Sequence, residues 1–308
     1  MARTGRPAAS ATTPEKPVKA ARAKPAVKAA QKTAEAGDKL AYGVPALEKG
    51  LDVIELLATQ SKGITQSEIA QLLGRSLQEV YRVVMALERR GYIQRRPGED
   101  GFFLSNHLHV LSNQYPPMRR LLDAALPIMY STSIAAYQAL HIAILDRLAI
   151  RVVAQVDSPA PLGFRLRVGT QNPAASTASG RLLLAFQPPA IRDWVMAEIE
   201  RTAPETDMVA LKRRVETLHR TGYEIIAGEG LQGITDVSFP ILDANGHALA
   251  VLTMPYLPSS KERVSLETAS RAQFEAAKAI TQLFDGTLIE PKFPLAPIRE
   301  KRPPARPT

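Results

Sequence analysis

Two helix-start signatures of the form Ser/Thr-x-x-Glu stand eleven residues apart, at Thr65-Gln66-Ser67-Glu68 and Ser76-Leu77-Gln78-Glu79. In such a capping box the hydroxyl accepts from the backbone N–H three residues on, and the acid reaches back to the cap's own N–H. The first box opens a helix carrying Ile69, Leu72 and Leu73, and Gly74-Arg75 leaves room only for a short turn. The second opens a helix from Leu77 to Arg90 that Gly91 stops. An earlier helix begins near Val44, with Leu47, Leu51, Ile54 and Leu57 at helical spacing and a turn at Lys62-Gly63. Downstream, Tyr92–Arg96, a Pro97-Gly98-Glu99-Asp100-Gly101 turn and Phe102-Phe103-Leu104 read as a hairpin. Three helices followed by a two-stranded wing predict a winged helix-turn-helix over residues 41–106.

The third helix has two faces. Leu77, Val80, Val83, Val84 and Leu87 form an inward stripe, while Gln78, Arg82, Met85 and Arg89 form an outward one flanked by Tyr81. Gln pairs bidentately with adenine and Arg with guanine, so that outward face suits base-edge readout in a major groove. Ser76 and the first-turn amides suit a phosphate. Residues 75–96 hold six Arg against two Glu, whereas the preceding helices carry Glu48, Asp52, Glu55 and Glu68. The candidate DNA-contacting set is Arg75, Ser76, Gln78, Glu79, Tyr81, Arg82 and Arg89, with Arg95 and Arg96 reaching from the wing to backbone or minor groove. The bland alternative is a protein-interaction module with a solvated Arg face.

The net charge of +9 is not spread evenly. Residues 1–39 carry nine Lys/Arg against three Asp/Glu and residues 289–308 five against two, while the middle of the chain is balanced. Residues 1–40 are Ala/Pro/Lys-rich without hydrophobic period, and 289–308 are Pro-rich; both are expected to be disordered basic tails. Such tails either tether nucleic acid without reading sequence or merely solubilise the chain, and charge alone does not choose between the two. The chain has no Cys, which excludes disulfides, thiol catalysis and Cys-ligated zinc. With no signal-peptide core and no apolar run long enough to span a bilayer, it is expected to work in the cytoplasm without membrane contact.

Residues 107–139 hold a long amphipathic stretch, about 117–139, kinked at Pro127. Beyond it, strands are expected at 140–146, 149–156, 223–227, 235–242 and 248–255, and helices at 177–186, 189–200, 207–220 and 265–284. The Asp243-Ala244-Asn245-Gly246 turn joins two of those strands into a hairpin. This is an α+β pattern on an antiparallel sheet. The polar segment 169–180 leads into a small-residue helix start whose free N–H groups suit a carboxylate, although local sequence alone favours an ordinary capped helix packing on the sheet.

Catalytic patterns are missing. The five His (His107, His109, His141, His219, His247) lack metal-ligand spacing, and Ser176 and Ser179 lack the Gly-x-Ser-x-Gly elbow. Gly228-Glu229-Gly230-Leu231-Gln232-Gly233 fits a dinucleotide fingerprint, but strand-like sequence follows it where a helix would have to receive a pyrophosphate. Neither an enzyme activity nor a cofactor or metal is expected.

Ala46 to Leu57, Ile64 to Ala70, Val80 to Ile93, Thr177 to Phe186 and Gly246 to Leu252, in that order and spacing, resemble the IclR family of bacterial regulators over roughly residues 44–285. The resemblance implies a dimer-forming helical domain, a linker helix and a GAF-like effector-binding domain over 140–288. It also implies homodimers or dimers of dimers, a double-stranded operator and a small organic effector, aromatic or carboxylic. By position it places Phe164, Asn172, Ala178, Ser179, Ile226, Ile234, Asp236, Thr253 and Pro255 around the effector. The chain departs from the family pattern at Ala175, where a His is usual, at Asp236, where Cys is frequent, and at Pro255. An inward, charged Asp236 would repel a carboxylate unless Arg165, Arg167 or Arg181 paired with it, favouring a neutral or cationic ligand. The alternative function is a constitutive DNA-binding protein whose second domain only dimerises.

Overall fold

A computed structural model describes residues 44–229, 231–258 and 263–297. The expected tail 1–40 and the last eleven residues of the expected C-terminal tail lie outside that range. The described chain forms two compact units that part between His109 and Val110.

The first unit contains α1 (Pro45–Ala58), α2 (Gln66–Leu73), α3 (Leu77–Arg89) and the hairpin β1 (Ile93–Gln94) with β2 (Phe103–Leu104). Both capping boxes form. Thr65 N–H donates to Glu68 at 2.8 Å and Ser76 N–H to Glu79 at 3.1 Å, while each hydroxyl accepts from the N–H three residues on. Ser76→Ala removes one acceptor of the second box and is expected to cost about 1 kcal/mol, measured as a lower denaturation midpoint of the full chain in urea.

The core of this unit joins Val53, Leu57, Ile69, Val80, Val84 and Ile93. It corrects two phases read from the sequence. In α1 the buried residues are Gly50, Val53 and Leu57, and Leu47 and Leu51 face outward. In α3 Leu77 is exposed and Met85 packs half-buried against the core. Both helices carry apolar residues on two adjacent stripes, and a 3.6-residue period alone does not select between them. The wing is fixed at its base by Ile64, which exchanges backbone hydrogen bonds with Phe102 at 3.1 and 2.8 Å. Gly101 permits this approach: at φ 96° it is left-handed, and a Cβ there would fall 2.6 Å from the Ile64 backbone.

The second unit follows the short helix α4 (His107–Gln114), in which the boundary falls. Helix α5 runs Pro116–Ala136 and continues through Pro127. Then come β3 (Leu140–Asp146), β4 (Ala149–Val156), β5 (Gln171–Pro173), a 3-10 turn Ala174–Ser176, α6 (Ala178–Ala185), α7 (Pro189–Thr202), α8 (Met208–Thr221), β6 (Glu224–Ala227), β7 (Thr235–Leu242), β8 (Ala248–Tyr256) and α9 (Leu266–Gln282). The six strands form one antiparallel sheet in the order β5-β4-β3-β8-β7-β6. The α+β class and the antiparallel sheet are as expected.

Strand alternation divides the sheet between two cores. Leu140, Ile142, Val237, Phe239, Leu252 and Met254 face α5 and α9. Ala143 and Val251 face α6, α7 and α8. On that second face the neighbouring positions turn polar: His141, Thr253 and Ser238 lie directly across from one another on β3, β8 and β7. A polar row under a helical layer needs partners, and only Ser238 and Thr253 satisfy each other, at 2.8 Å.

One tail expectation is corrected. Residues 289–297 do not extend freely from the domain: Phe293 and Leu295 pack on the core with α9, because these two apolar residues find a groove there that offsets their ordering. Among the described residues no helix is long and apolar enough to cross a membrane.

Candidate nucleic-acid interface and effector cavity

Helix α3 presents Gln78, Tyr81, Arg82 and Arg89 outward, and none of the four side chains has a partner among the described residues. They are therefore available to a ligand without breaking a contact. Other members of the expected DNA set are occupied within the unit. Arg75 pairs with Asp52 on α1 at 2.6 Å. Glu79 receives Lys49 at 2.6 Å besides the Ser76 cap. The Lys49 hydrogen bond, with the Ser76 backbone and hydroxyl bonds, holds the Glu79 carboxyl down at about 2. Arg75 and Glu79 thus brace the start of α3 against α1 and are positioning residues. Arg95 and Arg96 lie over the Phe102 and Phe103 rings at 4.5 and 4.1 Å, which stiffens the wing while leaving their charge at the surface.

In the second unit, seven of the nine expected effector residues line one cavity of about 290 Å³: Phe164, Asn172, Ala178, Ser179, Ile234, Asp236 and Thr253. Ile226 and Pro255 do not. They pair with Asp236 from either side in the sheet, so they share its face but stand next to the cavity wall. The sequence reading missed His141, Ile150, Leu166, Ser176, Thr177, Glu229 and Leu231 in the same lining.

The cavity's helical wall depends on close approach at one point. Thr177 caps α6 by accepting from Gly180 N–H at 3.1 Å. A Cβ on Gly180 would lie 2.2 Å from the Ala174 carbonyl oxygen, so only glycine lets the 3-10 turn lie against the helix.

Behind this wall is a buried charge cluster. One Glu224 oxygen accepts from Arg181 Nε and Nη2 at 3.1 and 3.0 Å, and from Arg214 Nε and Nη2 at 3.0 and 2.9 Å. Its other oxygen is buried with no partner among the described residues. Burial pushes the Glu224 carboxyl up, against the pull of the two guanidiniums. Arg181 also grips Glu229 at 2.6 and 2.9 Å; burial disfavours its charge, but the Glu229 and Glu224 carboxylates outweigh that and raise its pKa.

Arg181 is thus committed to Glu224 and Glu229, and Arg165 pairs with Asp157 at 3.5 Å. Asp236 has no ion pair among the described residues. Burial pushes its carboxyl up to about 6, helped by Glu229 and Glu224 and opposed by Arg181. His141 is 4 % exposed, its Nδ1 has no hydrogen-bond partner among the described residues, and burial lowers its pKa to about 4. Among the described residues no group of three acids or His could hold a metal. Gly228 N–H donates to the Ile234 carbonyl at 2.9 Å and β7 follows from Thr235, a strand where a pyrophosphate would need a helix start.

Comparison with known proteins agrees with this architecture. Residues 46–97 match the IclR helix-turn-helix domain, and residues 114–282 match the C-terminal domain of IclR bacterial transcriptional regulators. The regulator KdgR of Escherichia coli is 27% identical over 251 residues, covering 76% of this chain and 93% of its own. The glycerol operon regulatory protein of Streptomyces griseus is 22% identical over 215 residues, covering 69% and 85%. Among solved structures, an IclR regulator from Alicyclobacillus acidocaldarius superposes with a TM-score of 0.60 at 23% identity, covering 80% of this chain and all of that one. An IclR homologue from Microbacterium hydrocarbonoxydans, complexed with 4-hydroxybenzoate, gives a TM-score of 0.62 at 23% identity over 78% of this chain and 98% of that one. With the helix-turn-helix and the α+β domain each matched in chain order, this protein belongs to the IclR family of DNA-binding transcriptional regulators.

Proposed function

We propose that the protein reads a specific operator in the cytoplasm with the outward face of α3, and that a small organic molecule in the cavity beside α6 alters that binding. The observation that carries the first half is the unpartnered Gln78–Tyr81–Arg82–Arg89 face on a helix whose start is doubly braced. Supporting the second half is the half-open space between the sheet and α6, lined by polar and apolar side chains together, in the fold in which a homologue holds 4-hydroxybenzoate.

Pairing of two copies on a two-fold operator fits this reading, because half-site spacing then follows protein symmetry. Exposed Val44, just before α1, and Leu47 and Leu51 on it are apolar surface that such pairing would cover. An effector shifts operator affinity only as far as it binds the two arrangements differently, and operator shifts effector affinity by the same factor.

Arg82→Ala tests the reading face. A bidentate base contact predicts a loss of about 1–3 kcal/mol for operator, with little change for random duplex, measured by fluorescence anisotropy at fixed salt. Equal weakening on both duplexes would make Arg82 a phosphate contact and remove base readout from it.

A further inference from the structure

The family resemblance gives a cavity but not the polarity of what it takes. The sheet wall supplies His141, Thr253 and Asp236, and the loop before β7 supplies Glu229. No Lys or Arg stands in the cavity lining among the described residues. Arg181 and Arg214 carry two positive charges against the carboxylates of Glu224 and Glu229, which leaves the Asp236 charge in excess. Arg165 and Arg167 line a separate cavity with Tyr130 and Asp157. His141 faces the same space as an uncharged ring, since burial keeps it neutral well below pH 7.

From this placement we infer that the effector is an uncharged or cationic molecule presenting a hydroxyl or ammonium donor to Asp236, and that the cavity disfavours carboxylates. This rests on the effector reading and narrows it. A carboxylate beside Asp236 would face an unpaired like charge in partly dehydrated surroundings, where repulsion is screened far less than in water. A hydroxyl or ammonium makes a charge-assisted hydrogen bond in the same place. His141 adds a neutral polar ring to the same wall, its buried Nδ1 without a partner among the described residues. Phe164, Ile150 and Leu231 supply the apolar remainder, so a ring or short alkyl frame carrying one or two donors suits the volume.

The test uses the full chain at pH 7.5, where an Asp236 carboxyl at about 6 is ionised. The probes are size-matched fragment sets sharing one frame and differing in the head group: benzyl alcohol, benzylamine and benzoate, with their cyclohexyl and 4-methylphenyl counterparts. Binding is screened by thermal shift and quantified by calorimetry for the wild type, Asp236→Asn and, as a second neutral substitution, Asp236→Ser. Melting of the unliganded variants reports folding. The expected result is that alcohols or amines bind wild type at least tenfold more tightly than the matched carboxylate, and that neutralising Asp236 narrows the ratio at least tenfold. A wild type that prefers carboxylates, or a ratio that both variants leave unchanged, overturns the inference while leaving the cavity as an effector site. No binding in any class overturns the effector reading and the inference together.

Discussion

Glu224→Ala is expected to lower the stability of the second unit by about 3–5 kcal/mol. The side chain is fully buried, and one of its oxygens accepts four N–H bonds from Arg181 and Arg214. Removing it takes away the carboxylate that offsets two desolvated guanidiniums on different helices, and nothing as small as a methyl group replaces it. Glu224→Gln keeps an acceptor but loses the charge, and should cost less. Urea unfolding followed by far-UV circular dichroism measures both. A Glu224→Ala loss below about 1 kcal/mol, the level of a surface pair, would show that water already reaches the cluster.

The second large effect is expected at Gly180. In Gly180→Ala the new methyl meets the Ala174 oxygen, Cα and carbonyl carbon at 2.2, 2.5 and 2.7 Å. These are backbone atoms, so no side chain can rotate away and the 3-10 turn must move as a unit. Overpacking of this kind costs about 3 kcal/mol, the upper part of the usual range. The displaced turn carries Ser176 and lies next to Asn172, so binding in the cavity should be lost as well. Operator-independent association with DNA should persist, since the helix-turn-helix forms its own core. Calorimetry with the head-group probes, alongside anisotropy on random duplex, separates these outcomes. Retained probe affinity would mean that the turn yields without disturbing the wall.

Local chemistry explains what could be read from the sequence. The two capping boxes lie within four residues each, and both form as written. The long strands alternate or run apolar, and all five expected ones are present. What escaped depends on distant partners. Gln171–Pro173 is three residues long and becomes β5 only by pairing with β4. The facing stripe of α1 is decided by what α2 and α3 offer to Val53 and Leu57. Glu224, Arg181 and Arg214 are unremarkable one at a time and meet only when α6, α8 and β6 assemble.

At the cavity, positional correspondence found seven lining residues but passed over His141. A signal was present: Leu140 and Ile142 are apolar neighbours in β3, so His141 had to take the opposite face together with Ala143. That parity separates it from the α5–α9 core and sets it beside Thr253. Phe293 and Leu295 escaped for the opposite reason. The surrounding prolines dominate the composition there, and two apolar side chains suffice to anchor the segment.

All eight residues of α6 are buried. A rod packed on every side has no free flank toward which to tilt, and dense interiors pass strain on without absorbing it. A push at its Thr177 end is therefore expected to travel lengthwise, as in a piston, toward the far end, where the Phe186 ring lies tilted 5.0 Å from His219 and the Ala185 carbonyl meets the same imidazole at 2.8 Å. Packed atoms alone thus join the cavity wall at Thr177 to His219 on α8.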